Sequence, residues 1–111
     1  MKSPVLFISY DASMRDEIRE FLKDRKVEAF FSNSVEETLK IMHSKDFETV
    51  VLNLQRLEDA AMLRYINLHH QEARVLVMPG RQLQEAIPAL ANGHYDLLRE
   101  PFRLEELDKF L

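Results

Sequence analysis

Short apolar runs alternate with amphipathic stretches along the whole chain, and this alternation constrains the fold more than any other feature. The runs are PVLFIS (Pro4–Ser9), VEAFF (Val27–Phe31), FETVVLNL (Phe47–Leu54), ARVLVM (Ala73–Met78) and HYDLL (His94–Leu98). The first is continuously apolar, the pattern of a strand covered on both faces. Between the runs the period changes to that of a helix. In ASMRDEIREFLKDR, Met14, Ile18, Phe21 and Leu22 form a stripe, with Asp11 or Ser13 as N-cap. In SNSVEETLKIMHSK, Ser34 precedes Glu37 by three residues, a capping-box spacing, and Val35, Leu39 and Met42 share a face. EDAAMLRYINLHH directs Ala61, Met62, Tyr65 and Ile66 inward. RQLQEAIPALANG is helical but carries Pro88, which costs about 3 kcal/mol inside a helix. A kink or break is expected before Pro88, with Asn92-Gly93 as C-cap. REPFRLEELDKFL turns through Pro101 into a last helix.

The order is strand–helix repeated through five strands. It predicts an α/β domain, a (βα)5 doubly wound parallel sheet with helices on both faces. Strand order 2-1-3-4-5 is the common arrangement, with the switch point between strands one and three. Ligands or chemistry are then expected at the strand ends, where this chain places Ser9 and Tyr10, Asn53 and Pro79.

Length allows one domain, residues 1–111, with a sizeable core. The final LEELDKFL reads as a helix cut in mid-course, so the domain is expected to be the N-terminal part of a longer chain. A net charge of −4 gives no electrostatic reason for direct nucleic-acid or anionic-membrane binding. The chain has no cysteine, hence no disulfide or thiolate zinc site, which fits a reducing, cytoplasmic setting. No apolar run approaches the ~20 residues needed to span a bilayer.

Several segments, in order and spacing, resemble the receiver domains of bacterial response regulators. LLREPFRLEELDKFL (Leu98–Leu111) is similar to that family's strand five, X-Pro-Phe turn and final helix. FETVVLNLQ resembles its strand three, which ends in the phosphorylated aspartate, and NGHYDLL its glycine turn into strand five. The resemblance implies a flavodoxin-like fold. It also implies a site with an aspartate nucleophile, an acidic pair holding Mg²⁺, a Thr or Ser, and a Lys, which together neutralise charge during phosphoryl transfer.

Matched to these positions, the chain lacks the reactive groups. The nucleophile position holds Asn53, a neutral amide. The acidic pair falls on Ser9 and Tyr10, with a lone Asp11 beyond. The hydroxyl position holds Pro79, and the lysine position before Pro101 holds Glu100. The aromatic switch position holds Leu97, with Tyr95 nearby. The resemblance therefore implies a pseudo-receiver without aspartyl phosphorylation, not an enzyme, requiring no cofactor and no metal. The Glu100–Pro101 bond is a candidate cis peptide, since cis bonds are essentially a proline property.

Other sites carry weaker signals. His69-His70 closes a helix, where a cation meets the negative end of the dipole, and neither His43 nor His94 has partners at ligand spacing. No G-x-S-x-G elbow surrounds Ser9, and PGRQ is too short for a phosphate-cradling loop.

Function is then expected in binding. The family signals through the face made by helix four, strand five and helix five, which here carries Gln84, Tyr95, Arg103 and Glu106. It implies a protein partner or a second copy (a homodimer), and an attached, transcription-regulating output domain. Two alternatives remain: a stand-alone adaptor of the same fold, and an α/β small-ligand binder or enzyme using Tyr10, Asn53 and Glu100.

Overall fold

Strand β1 (Val5–Ile8) is buried along its whole length because both sides of the sheet are covered. In the computed structural model, which describes residues 4–56, 59–87, 94–99 and 102–111, it pairs in parallel with β2 (Ala29–Ser32) and β3 (Thr49–Leu54). β3 pairs with β4 (Arg74–Pro79), and β4 with the short edge strand β5 (Asp96–Leu97). The sheet order is β2-β1-β3-β4-β5, as the alternation predicts.

Side chains alternate across the sheet and build two cores. Leu6, Ile8, Val50, Leu52, Leu54, Val75 and Val77 face helices α2 (Val35–Ser44) and α3 (Ala60–His69), where Met42, Met62, Leu63 and Ile66 meet them. Val5, Phe7, Val51, Leu76 and Met78 face α1 (Ala12–Asp24) through Ile18, Phe21 and Leu22. Asp11 is the N-cap of α1 and Ser34 that of α2, each side chain accepting from free backbone N–H groups of the first turn. α1 ends with Lys26 in the left-handed region (φ 56°), and Val27 N–H closes back on the Leu22 carbonyl.

Two inward-facing expectations are corrected. Val35 and Ala61 point outward, while Thr38 and Ala60 take the buried positions. Thr38 can sit inside because its hydroxyl lies 2.6 Å from Ser32 Oγ and 2.8 Å from the Ser34 carbonyl. The expected fourth helix opens as a 3₁₀ turn at Arg81–Leu83; Pro88 and the Asn92-Gly93 cap lie outside the described residues. The last helix is a 3₁₀ helix, Leu104–Phe110. It is tied down by Arg25, whose Nε donates to Asp108 Oδ1 at 2.8 Å and whose guanidinium stacks on Phe21. That hydrogen bond to Asp108 raises the Arg25 pKa above its ordinary value.

Candidate functional site

The parallel register Ile8↔Leu52 brings the residues just beyond it, Ser9 and Asn53, side by side at the strand ends. Asn53 Nδ2 donates to Ser9 Oγ at 2.9 Å, and Asn53 Oδ1 accepts from Gln55 Nε2 at 2.7 Å. Ser9 Oγ also accepts the Asp11 N–H at 3.1 Å. Ser9 is 0% exposed and Asn53 1%. A buried amide needs such partners, and here both ends of the Asn53 side chain have them. Position 53 is thus occupied by a neutral group locked into a hydroxyl–amide–amide chain.

The neighbouring groups are also engaged. Asp11 Oδ1 accepts from Ser13 N at 2.9 Å and Met14 N at 3.2 Å, so the lone acid of the loop serves as a helix cap. Arg15 reaches back from the first turn of α1, its Nη1 donating to the Ser9 carbonyl at 2.8 Å. Tyr10 lies under the Arg56 guanidinium, 4.4 Å from ring centre to Cζ. Arg56 in turn holds Asp59 through two bonds of 3.2 and 3.0 Å, and Asp59 is only 5% exposed. A carboxylate so buried requires a pairing of this kind. Pro79 is buried at the end of β4, and the following Gly80 N–H donates to the Leu54 carbonyl at 2.8 Å.

Chemically, this strand end offers little to a phosphoryl group or to Mg²⁺. Mg²⁺ is held by oxygen ligands, usually carboxylates, and sheds its water reluctantly. Ser9 Oγ, both ends of the Asn53 amide and Gln55 Nε2 are engaged in one chain of hydrogen bonds, while Asp11 caps its helix and Asp59 pairs with Arg56. The Arg15 guanidinium at Ser9 adds a fixed positive charge that opposes a divalent cation. Among the described residues, no group of three or more His, Asp or Glu side chains is arranged to hold a metal ion.

Of the residues singled out from the sequence, Ser9, Asn53 and Asp11 come together at one strand end, with Asp11 contributing its backbone N–H. Tyr10 and Asn53, two of the three residues named for a small-ligand crevice, engage Arg56 and Ser9 respectively; the third, Glu100, lies outside the described residues. Glu100 and Pro101, and with them the cis-peptide expectation, lie outside the described residues. Leu97 and Tyr95 both pack half-buried against the α2/α3-side core. On the expected docking face, Gln84 is half-buried, and its buried Nε2 has no partner among the described residues. Arg103 is exposed, and Glu106 Oε2 accepts the Arg103 N–H at 3.0 Å as a cap of its own helix. Sequence reasoning missed Gln55, Arg15 and the Arg56–Asp59 pair. The signal for Gln55 was its position two residues after Asn53, on the same side of an extended chain.

No protein-family model and no curated protein matches the chain. Solved structures do. The signal receiver domain of an HD domain-containing protein from Pseudomonas fluorescens Pf-5 superimposes with a TM-score of 0.84 at 15% identity, over 98% of this chain and 90% of that one. Chemotaxis protein CheY4 of Vibrio cholerae gives 0.79 at 17% identity, over 99% and 96%. NtrX from Brucella abortus gives 0.85 at 24% identity, covering 99% of this chain but only 26% of NtrX. The chain therefore has the fold of response regulator receiver domains. None of its helices among the described residues is long and apolar enough to cross a membrane.

Proposed function

We propose that this chain is a phosphorylation-independent receiver-type domain of bacterial signal transduction, acting in the cytoplasm by protein–protein contact. The observation that carries this reading is the 2.9 Å Asn53–Ser9 hydrogen bond, which joins two buried, uncharged side chains at the strand end. Phosphoryl transfer to a receiver needs an anionic nucleophile, a metal and a cation at that place. Ser9, Tyr10, Asn53 and Pro79 supply none of these, and Glu100 stands where a lysine is needed. Without the reaction the domain is not an enzyme, and control passes to binding or to the amount of protein present.

The binding face in this reading is the one made by residues 81–87, β5 and the Leu104–Phe110 helix, with Gln84, Tyr95, Arg103 and Glu106 as contacts. The unpartnered Gln84 Nε2 supports it, because a buried donor without an acceptor gains when a partner supplies one. The partner is an output domain, in the same chain or in another. That NtrX is a longer protein, of which this chain matches about a quarter, is compatible with an attached transcription-regulating output.

The test is incubation with a small phosphodonor and Mg²⁺, followed by intact-protein mass measurement. The reading requires no added phosphoryl mass on the native chain under conditions that fully modify an active receiver. Stoichiometric modification would sink it.

A further inference from the structure

Among the described residues, the exposed large hydrophobic side chains are Tyr10, Val35 (48%) and Leu68 (67%), and Val35 lines an apolar cleft between two helices. Between α2 and α3 runs a cleft of about 230 Å³ lined by Val35, Leu39, Ala61, Met62 and Tyr65, with Asp59 the one charged residue of its lining among the described residues. Tyr10 stacks on Arg56, the partner of Asp59. Val35, a side chain that a monomer would turn inward, thus stands exposed at an apolar cleft away from the β5 side.

The charges beside this cleft say what fits it. Glu36 and Lys40 are four residues apart on the exposed side of α2, the spacing at which Glu and Lys pair along a helix. They form no ion pair with each other or with any other described residue. A helix that starts acidic and continues basic is complementary to its own antiparallel copy. About a two-fold axis, Glu36 of each chain meets Lys40 of the other, and Val35 of each lies over the apolar cleft opposite.

We infer that the α2–α3 face is a homotypic interface that receives a second copy of this chain, with the two α2 helices antiparallel. α2 spans 10 residues, about 15 Å, so the contact is small and the dimer weak, concentration-dependent and salt-sensitive.

The test is sedimentation velocity at low salt over a rising concentration series. The wild type shows a concentration-dependent increase in sedimentation coefficient. Val35→Lys abolishes that increase without changing the unfolding midpoint, because Val35 is already exposed. Glu36→Lys and Lys40→Glu each weaken association about tenfold by setting like charges against each other. Mixing these two variants restores it, since each then meets its opposite across the axis. A wild type that stays monomeric throughout, even if another protein binds at Val35, overturns the inference. So does a mixture no better than either variant alone, or a Val35→Lys protein that still dimerises.

Discussion

Returning an aspartate to position 53 is the sharpest perturbation of the strand end. Asn53→Asp changes no volume of consequence but removes the Nδ2 donor that reaches Ser9 Oγ at 2.9 Å. A carboxylate oxygen then faces a hydroxyl oxygen that already accepts the Asp11 N–H. The Ser9 hydroxyl can turn and donate, and Gln55 Nε2 still donates from 2.7 Å, so the new charge keeps two hydrogen bonds. It remains a carboxylate at a position 1% exposed, and the Arg15 guanidinium close by is bonded to the Ser9 carbonyl. Partial desolvation set against two retained bonds leaves a net loss of about 2 kcal/mol at neutral pH. Burial disfavours the charged form and so raises the pKa of the introduced Asp in the folded state above its unfolded value. The penalty is therefore present above the folded pKa and shrinks as pH falls through it. Urea denaturation of wild type and variant at neutral pH and at about pH 5 reads both effects, the gap in midpoint narrowing toward acid. A variant as stable as wild type at neutral pH, or one whose deficit grows on acidification, would refute the reasoning. The pocket would then be prepared for an anion, and a phosphorylation switch would have to be reconsidered.

Three further substitutions probe other links of the account. Leu63→Ala, at a position 0% exposed in the α2/α3-side core, costs about 2–5 kcal/mol in a denaturant melt. Lys26→Gly relieves the left-handed backbone at the end of α1 (φ 56°) and raises stability by up to about 1 kcal/mol; a loss would place the strain elsewhere. Gly80→Ala sets a Cβ 2.8 Å from Gln55 Oε1, the mobile end of a side chain, so the fold survives while Gln55 is displaced. The side-chain amide resonances of Asn53 and Gln55 report that displacement directly.

The strands and caps were legible because they depend on local chemistry. Five apolar runs with helical periods between them leave few topologies, and Asp11 and Ser34 cap the first two helices whatever lies beyond. The inward faces of α2 and α3 were less so. Periodicity assigns Val35 and Ala61 to the core by their apolarity, but both lie in the first turn of their helices and look into the cleft between them. Thr38 takes a core place because Ser32 and Ser34 stand close enough to satisfy its hydroxyl, a fact of tertiary structure. At the strand end, the residue types Ser9, Tyr10, Asn53 and Pro79 were legible from the sequence alone. Their contacts were not: that Asn53 bonds Ser9 and Gln55, that Asp11 is spent on its helix, and that Arg15 folds back depend on distances across β1, β3 and α1. The charge pattern of Glu36 and Lys40 reads as an ordinary solvated face until the cleft beside it is seen.

The central claim, that this strand end is blind to metal and phosphoryl groups, is tested most directly by an amide NMR titration with Mg²⁺ followed by beryllofluoride, the phosphoryl mimic that receiver domains accept. The account predicts no saturable shifts at Ser9, Asn53, Gln55 or Gly80. Saturable shifts at those amides, with Mg²⁺ alone or with the mimic, would contradict it.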